Sequence, residues 1–133
     1  MEMTFNMPQG RNEKLPKLSE AEGEIMEIMW KNRQPLTSTY VMEQLTSRTW
    51  ALSTVMTALA KLCEKGFVYC DRTTRTNYYS ALISEQDYRA GQSREFLKTM
   101  HQNSIANMVT ALSNSGEISD SEIEQLREIL NRR

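Results

Sequence analysis

The chain has 133 residues, with 16 lysines and arginines against 17 aspartates and glutamates, and a formal net charge of -1. That length holds one domain, or one small domain with an appendage too small to stand alone. The charge excludes a generally basic, histone-like binder, so any contact with nucleic acid must come from local charge. That local charge exists: Arg48, Lys61, Lys65, Arg72 and Arg75 face only Glu64 and Asp71 between positions 48 and 75, whereas residues 83–133 carry six basic against eight acidic side chains.

In chain order, the first 17 residues, MEMTFNMPQGRNEKLPK, mix Pro, Gly, Asn and charge without a period and read as a mobile arm. No apolar stretch there forms the core of a signal peptide, and no run anywhere approaches the roughly 18 residues of a membrane span. A cytoplasmic protein is expected. Ser19 and Glu22 make a Ser-x-x-Glu capping box. The helix that follows, to about Asn32, buries Leu18, Ala21, Ile25, Ile28 and Met29, with Met26 and Trp30 beside them, and turns Glu20, Glu24, Glu27 and Lys31 to water. Glu27 and Lys31 stand four apart in the favourable order. Pro35 stops continuation, and a second helix over Ser38 to Thr46 carries Val41, Met42 and Leu45 at helical spacing.

A short connection leads to the segment WALSTVMTALAKLCEKGF, whose helix has two faces of opposite chemistry. At about 100° per residue, Leu52, Val55, Met56, Leu59, Leu62 and Cys63 share one arc, and Ser53, Thr54, Thr57, Lys61 and Lys65 share the other. The first builds core; Cys63 is expected there as a buried structural thiol. The second is short, hydroxylated and cationic, as suits a helix whose backbone approaches bases in a major groove. A polar solvated face is the plainer reading of the same arc. Ser53 is expected to cap this helix and Gly66 to close it. Phe67 to Cys70 then suits a strand and Asn77 to Ala81 its partner, with Thr73 to Thr76 as a polar tip containing Arg75. Three helices and a hairpin in this order predict a winged helix-turn-helix domain over residues 18–82, with the third helix as the reader.

Beyond Leu82 the pattern is helical only. Ser84 with Asp87 marks one helix start, running through Tyr88, Phe96, Leu97 and Met100. A second stripe carries Ile105, Met108, Val109 and Leu112, and a third, after a Ser119-x-x-Glu122 box, carries Ile123, Leu126, Ile129 and Leu130. Stripes this narrow enclose no core alone. Pairing with the same segment of a second chain dries them, so residues 83–133 are expected to be a helical dimerisation region resting on Phe96, Ile105, Met108, Val109, Leu112, Ile123, Leu126 and Leu130. Folding back onto the winged domain is the alternative. Cys63 and Cys70 are too few for a disulfide framework and lack the neighbours of a zinc site, and the single histidine, His101, has no ligand set or nucleophile beside it. No enzyme activity, metal or cofactor is expected.

The stretches LSEAEGEIMEIMW, WALSTVMTALAKLCEKGFV, NYYSALISEQDY, SREFL and ISDSEIEQLREILNRR follow one another in an order that resembles the penicillinase-repressor family (BlaI/MecI/CopY) of bacterial winged-helix repressors, from Leu18 to Arg133. The resemblance implies a homodimeric repressor on palindromic operator DNA of β-lactamase or similar antibiotic-resistance genes. Together with the shared polar arc, it points Thr54, Thr57 and Lys61 at the major groove, with Ser53 at the helix start and Arg72 and Arg75 of the wing on backbone phosphates. In the antibiotic-responsive branch a membrane sensor metalloprotease triggers cleavage before a Phe, matching the bond between Glu95 and Phe96. This chain departs from the family in four ways. Gly23 stands where Trp is common; Leu52-Ser53-Thr54 replaces Pro-Lys-Thr; Lys61 replaces an Arg, losing bidentate guanine recognition; and Glu95 replaces an Asn. No cysteine follows Cys70, which excludes copper sensing by a C-terminal Cys-x-Cys pair. A ligand-responsive regulator without proteolysis and a winged-helix protein-interaction module remain the competing functions.

Overall fold

The structure, a computed structural model, describes residues 15–47 and 49–133. Most of the expected N-terminal arm, and Arg48 of the cationic stretch, lie outside the described residues. The elements are α1 (Glu20–Lys31), α2 (Ser38–Gln44), α3 (Leu52–Glu64), β1 (Val68–Asp71), β2 (Tyr78–Ala81), α4 (Glu85–His101), α5 (Ile105–Asn114) and α6 (Asp120–Asn131). Two compact units result, Met1–Gln92 and Ser93–Arg133.

In the first unit α1 starts at its capping box. Ser19 Oγ accepts from the Glu22 N–H at 3.1 Å, and Glu22 Oε1 accepts from the Ser19 N–H at 2.9 Å, so two otherwise orphaned donors are satisfied. Ile25, Met26 and Met29 of α1 meet Val41 of α2, Val55, Leu59 and Leu62 of α3, and Phe67 and Val68 at the start of the hairpin in one buried cluster. Each such side chain contributes about 1.5–3 kcal/mol when fully buried. Leu15 belongs to the same cluster, so the end of the segment read as an arm is part of the core. Composition alone hid this, because one leucine outside a periodic run carries no pattern.

At the end of α3, Gly66 has φ 85, a left-handed conformation that a side chain disfavours. Its N–H donates to Cys63 O at 3.1 Å and the Phe67 N–H donates to Leu62 O at 2.9 Å, which satisfies the last carbonyls of α3 and turns the chain into β1. The hairpin is antiparallel, pairing Val68 with Ala81 and Cys70 with Tyr79. Leu36, just after Pro35, adds a bridge to Tyr79, with N–H···O distances of 2.9 and 2.7 Å, so the link between α1 and α2 is tied to the wing. Three helices, this bridge and a two-stranded hairpin form a winged helix-turn-helix.

The first unit extends past Leu82, where the sequence reading put the boundary, because the next residues are bound into it. Ile83 is buried and its carbonyl accepts from Trp30 Nε1 at 2.8 Å. The Tyr88 ring meets Phe67 edge-on at 5.6 Å and Trp30 at 6.0 Å, and its hydroxyl accepts from the Leu18 N–H at 3.0 Å. Glu27, expected to pair with Lys31, instead accepts from Arg89 at 3.0 Å.

In the second unit, Ser104 Oγ accepts from the Asn107 N–H at 2.9 Å to cap α5, and Ser119 with Glu122 repeats the capping box at α6. Phe96 lies edge-on to His101 at 5.6 Å. No residue of Ser93–Arg133 is buried. Ile105, Leu112, Ile123, Leu126, Ile129 and Leu130 are exposed, and Met108 and Val109 are half-buried. Among the described residues no helix is long and apolar enough to cross a membrane.

Candidate nucleic-acid interface

Helix α3 presents Ser53, Thr54, Thr57 and Lys61 to solvent, opposite the buried Val55, Leu59 and Leu62. Ser53, Thr54, Thr57 and Lys61 line one open groove of about 360 Å³ with Ser19, Ala21 and Glu22, so the start of α1 forms one wall of the reading face. The helix is not capped by Ser53. It begins at Leu52 with Ala51 in the N-cap position and no side-chain cap, which leaves the Ser53 hydroxyl within the first turn on the exposed face.

Two side chains assigned to the core arc lie outside it. Leu52 is 39% exposed and Met56 46% exposed. The elements packed on α3 cover only the arc centred on Val55, Leu59 and Leu62, and the edge of the apolar arc stays in water. Cys63, also expected in the core, is half-buried, with its thiol pushed up by burial and by Cys70 nearby.

Lys65, expected beside Lys61 on the polar arc, is engaged elsewhere. Its Nζ donates to Glu22 Oε1 at 2.7 Å, which ties the end of α3 to the cap of α1. Glu22 is only 4% exposed. Burial alone would push its carboxyl up, but the Lys65 ammonium and the donors of Ser19 outweigh this and hold it below the ordinary glutamate range. The capping box was legible from the sequence; its link to Lys65 was not, because nothing local pairs residues so far apart in the chain.

The wing tip is braced from within. Asp71 Oδ1 accepts from the Thr73 N–H at 2.9 Å and from the Thr73 hydroxyl at 2.7 Å, and these bonds hold the Asp71 carboxyl below its usual range. Thr74 Oγ1 donates to Thr76 O at 2.7 Å. Arg72 and Arg75 stand exposed within this tip. Among the described residues no carboxylate pairs with Lys61, Arg72 or Arg75. Three cations on the reading helix and wing are thus available to an anionic ligand, and Asp71 is the brace that the sequence reading overlooked.

The bond between Glu95 and Phe96, which the resemblance alone matches to a cleavage site, lies inside α4. The Glu95 carbonyl accepts from Thr99 Oγ1 at 3.0 Å, and Phe96 is exposed.

Residues 18–132 match the family model described as penicillinase repressor. The penicillinase repressor of Bacillus licheniformis is 31% identical over 117 residues, covering 88% of this chain and 91% of the relative. The methicillin resistance regulatory protein MecI of Mammaliicoccus sciuri is 27% identical, over 88% of this chain and 95% of its own length. A solution structure of the monomeric form of B. licheniformis BlaI in complex with the blaP half-operator is 33% identical with a TM-score of 0.47, covering 56% of this chain and 92% of that one. With a family match over residues 18–132 and a relative 31% identical across 88% of this sequence, the chain belongs to the penicillinase repressor family.

Proposed function

We propose that this protein is a DNA-binding transcriptional repressor that acts as a homodimer on palindromic operators of β-lactamase or similar resistance genes. The observation that carries this reading is the face of α3: short hydroxyl side chains and a cation, exposed on the third helix of a winged helix-turn-helix in a chain of the penicillinase repressor family. Thr54, Thr57 and Lys61 contact base edges, Ser53 sits at the helix start, and Arg72 and Arg75 take phosphates; the second group orients the protein and the first specifies the sequence. Dimerisation supplies two such helices about one helical turn of DNA apart. The exposed stripes of α5 and α6 are the surfaces that a second chain covers.

Repression ends, in this reading, when a membrane sensor metalloprotease leads to cleavage between Glu95 and Phe96. That bond lies in a helix, so it must open locally before a protease accepts it in extended form. Cutting there separates the paired helices from the winged unit and removes the gain of two linked half-sites. Mass spectrometry of the protein from β-lactam-treated cells of its source should reveal a fragment ending at Glu95; an intact chain during full induction refutes this route.

The DNA reading is tested by titrating operator duplex at several salt concentrations. Thr57→Ala should alter sequence preference, whereas Arg75→Ala should weaken every duplex and lower the salt slope by about one unit. Unchanged affinity and slope in Arg75→Ala would remove the wing from the interface.

A further inference from the structure

Helix α3, LSTVMTALAKLCE, contains no Arg, Asn or Gln. The guanidinium that reads guanine as a fixed fork and the carboxamides that read adenine are therefore missing from the reading helix, and Lys61, a point charge, is its one cation. A second feature stands beside this one. Leu52, Met56 and Ala60, spaced four apart, lie one above another along α3 and are all exposed. Ser53, Thr57 and Lys61 form the neighbouring row, also exposed. Single exposed apolar residues need no explanation. An aligned row of them, next to the polar row of a groove-entering helix, has a ligand in duplex DNA: thymine is the one standard base that displays a methyl group in the major groove.

We propose that the Leu52, Met56 and Ala60 row reads thymine methyl groups, so that operator half-sites are selected in part by apolar contact at A·T pairs. This rests on the DNA-binding reading above and adds the chemistry by which the base is chosen. Leu52 and Met56 reach furthest and carry the selection; Ala60, with only its Cβ, lets the backbone approach the bases. The hydroxyls of Thr54 and Thr57 and the Lys61 ammonium add hydrogen bonds to base edges, which specify the sequence together with the apolar row. Closing an apolar side chain over a methyl removes both from water, and each methyl contributes about fourfold in affinity.

The test begins with the full-length chain and a random-sequence duplex pool, from which the preferred operator is enriched. Each thymine of one half-site is then replaced by uracil, which keeps the base pairing and deletes only the methyl. The expected result is a loss of about fourfold at one or more positions, and about sixteenfold when both half-sites are changed. Met56→Ala or Leu52→Ala should bind the thymine and uracil duplexes alike at the position that each side chain covers, with an unchanged thermal midpoint because neither side chain is in the core. An enriched operator that binds equally well with uracil at every position overturns the methyl readout and leaves the repressor reading standing; that is also the outcome if the row docks a protein partner. A pool that yields no enriched sequence overturns the DNA-binding reading, and the methyl readout with it.

Discussion

Helices α1 and α6 start with the same device and end in opposite environments. Ser19 with Glu22, and Ser119 with Glu122, form complete capping boxes, and both helices carry an apolar stripe at helical spacing. Yet Ile25 and Met26 of α1 are fully buried, while Leu126 of α6 is 38% exposed and Leu130 64% exposed. A cap and a stripe specify where a helix begins and which side is apolar. They do not supply the surface that covers that side. In the first unit α3 and the hairpin do so within one chain; in the second unit no residue is buried, and the stripes of α5 and α6 stay exposed or half-buried.

This contrast predicts that core truncations act on the two units very differently. Leu59→Ala, at a fully buried position, should cost about 2–5 kcal/mol in urea denaturation of the winged unit. Leu130→Ala should leave that transition within about 0.5 kcal/mol, because Leu130 is no part of the winged unit's core. Equal losses would break the comparison.

Next in size is the effect on assembly. Each apolar side chain buried in the proposed dimer contributes about 1.5–3 kcal/mol, so Leu126→Asp should shift that dimer to monomer at micromolar concentration in sedimentation. The unmodified chain should show a thermal midpoint that rises with protein concentration, and the variant should lose that dependence. An intact Leu126→Asp dimer would move the interface elsewhere.

A smaller effect separates the two capping boxes, because only Glu22 is also joined to a lysine from another helix. Glu22→Gln should cost about 1–2 kcal/mol, less than for a fully buried pair because solvent reaches Lys65. The folded-state carboxyl lies below the ordinary glutamate value, so its contribution is present above about pH 4.3 and is lost as pH falls through the folded value. Denaturation as a function of pH should therefore show a shallower acid loss in Glu22→Gln than in the unmodified chain.

The smallest expected change is a gain. A Cβ at Gly23 meets nothing within 4 Å, and glycine weakens a helix interior. Gly23→Ala should raise the stability of the winged unit by about 0.5–1 kcal/mol, measured as an increased urea midpoint, and a loss would reveal a tight contact on that side of α1.

Much of the candidate site was legible because its signals are local. The polar row Ser53, Thr57 and Lys61 emerges from helical spacing alone, and the wing tip with Arg75 from turn residues between two short apolar runs. Less legible were the groups whose role depends on a neighbour from another element. Lys65 shares the polar arc of α3 by spacing, yet α1 claims it through Glu22. Leu52 and Met56 share the apolar arc, yet they stay 39% and 46% exposed.

By itself the sequence determined the caps at Ser19, Ser84 and Ser119, the left-handed stop at Gly66, the hairpin and the apolar stripe of each helix, all of which depend on interactions within a turn or two of chain. Tertiary structure alone decided how much of each stripe is covered, that Leu15, Ile83 and Tyr88 belong to the winged unit, and that the Leu36 bridge ties the α1–α2 link to the wing. The reason is physical: periodicity reports the direction in which a side chain points, and burial depends on which distant element arrives there.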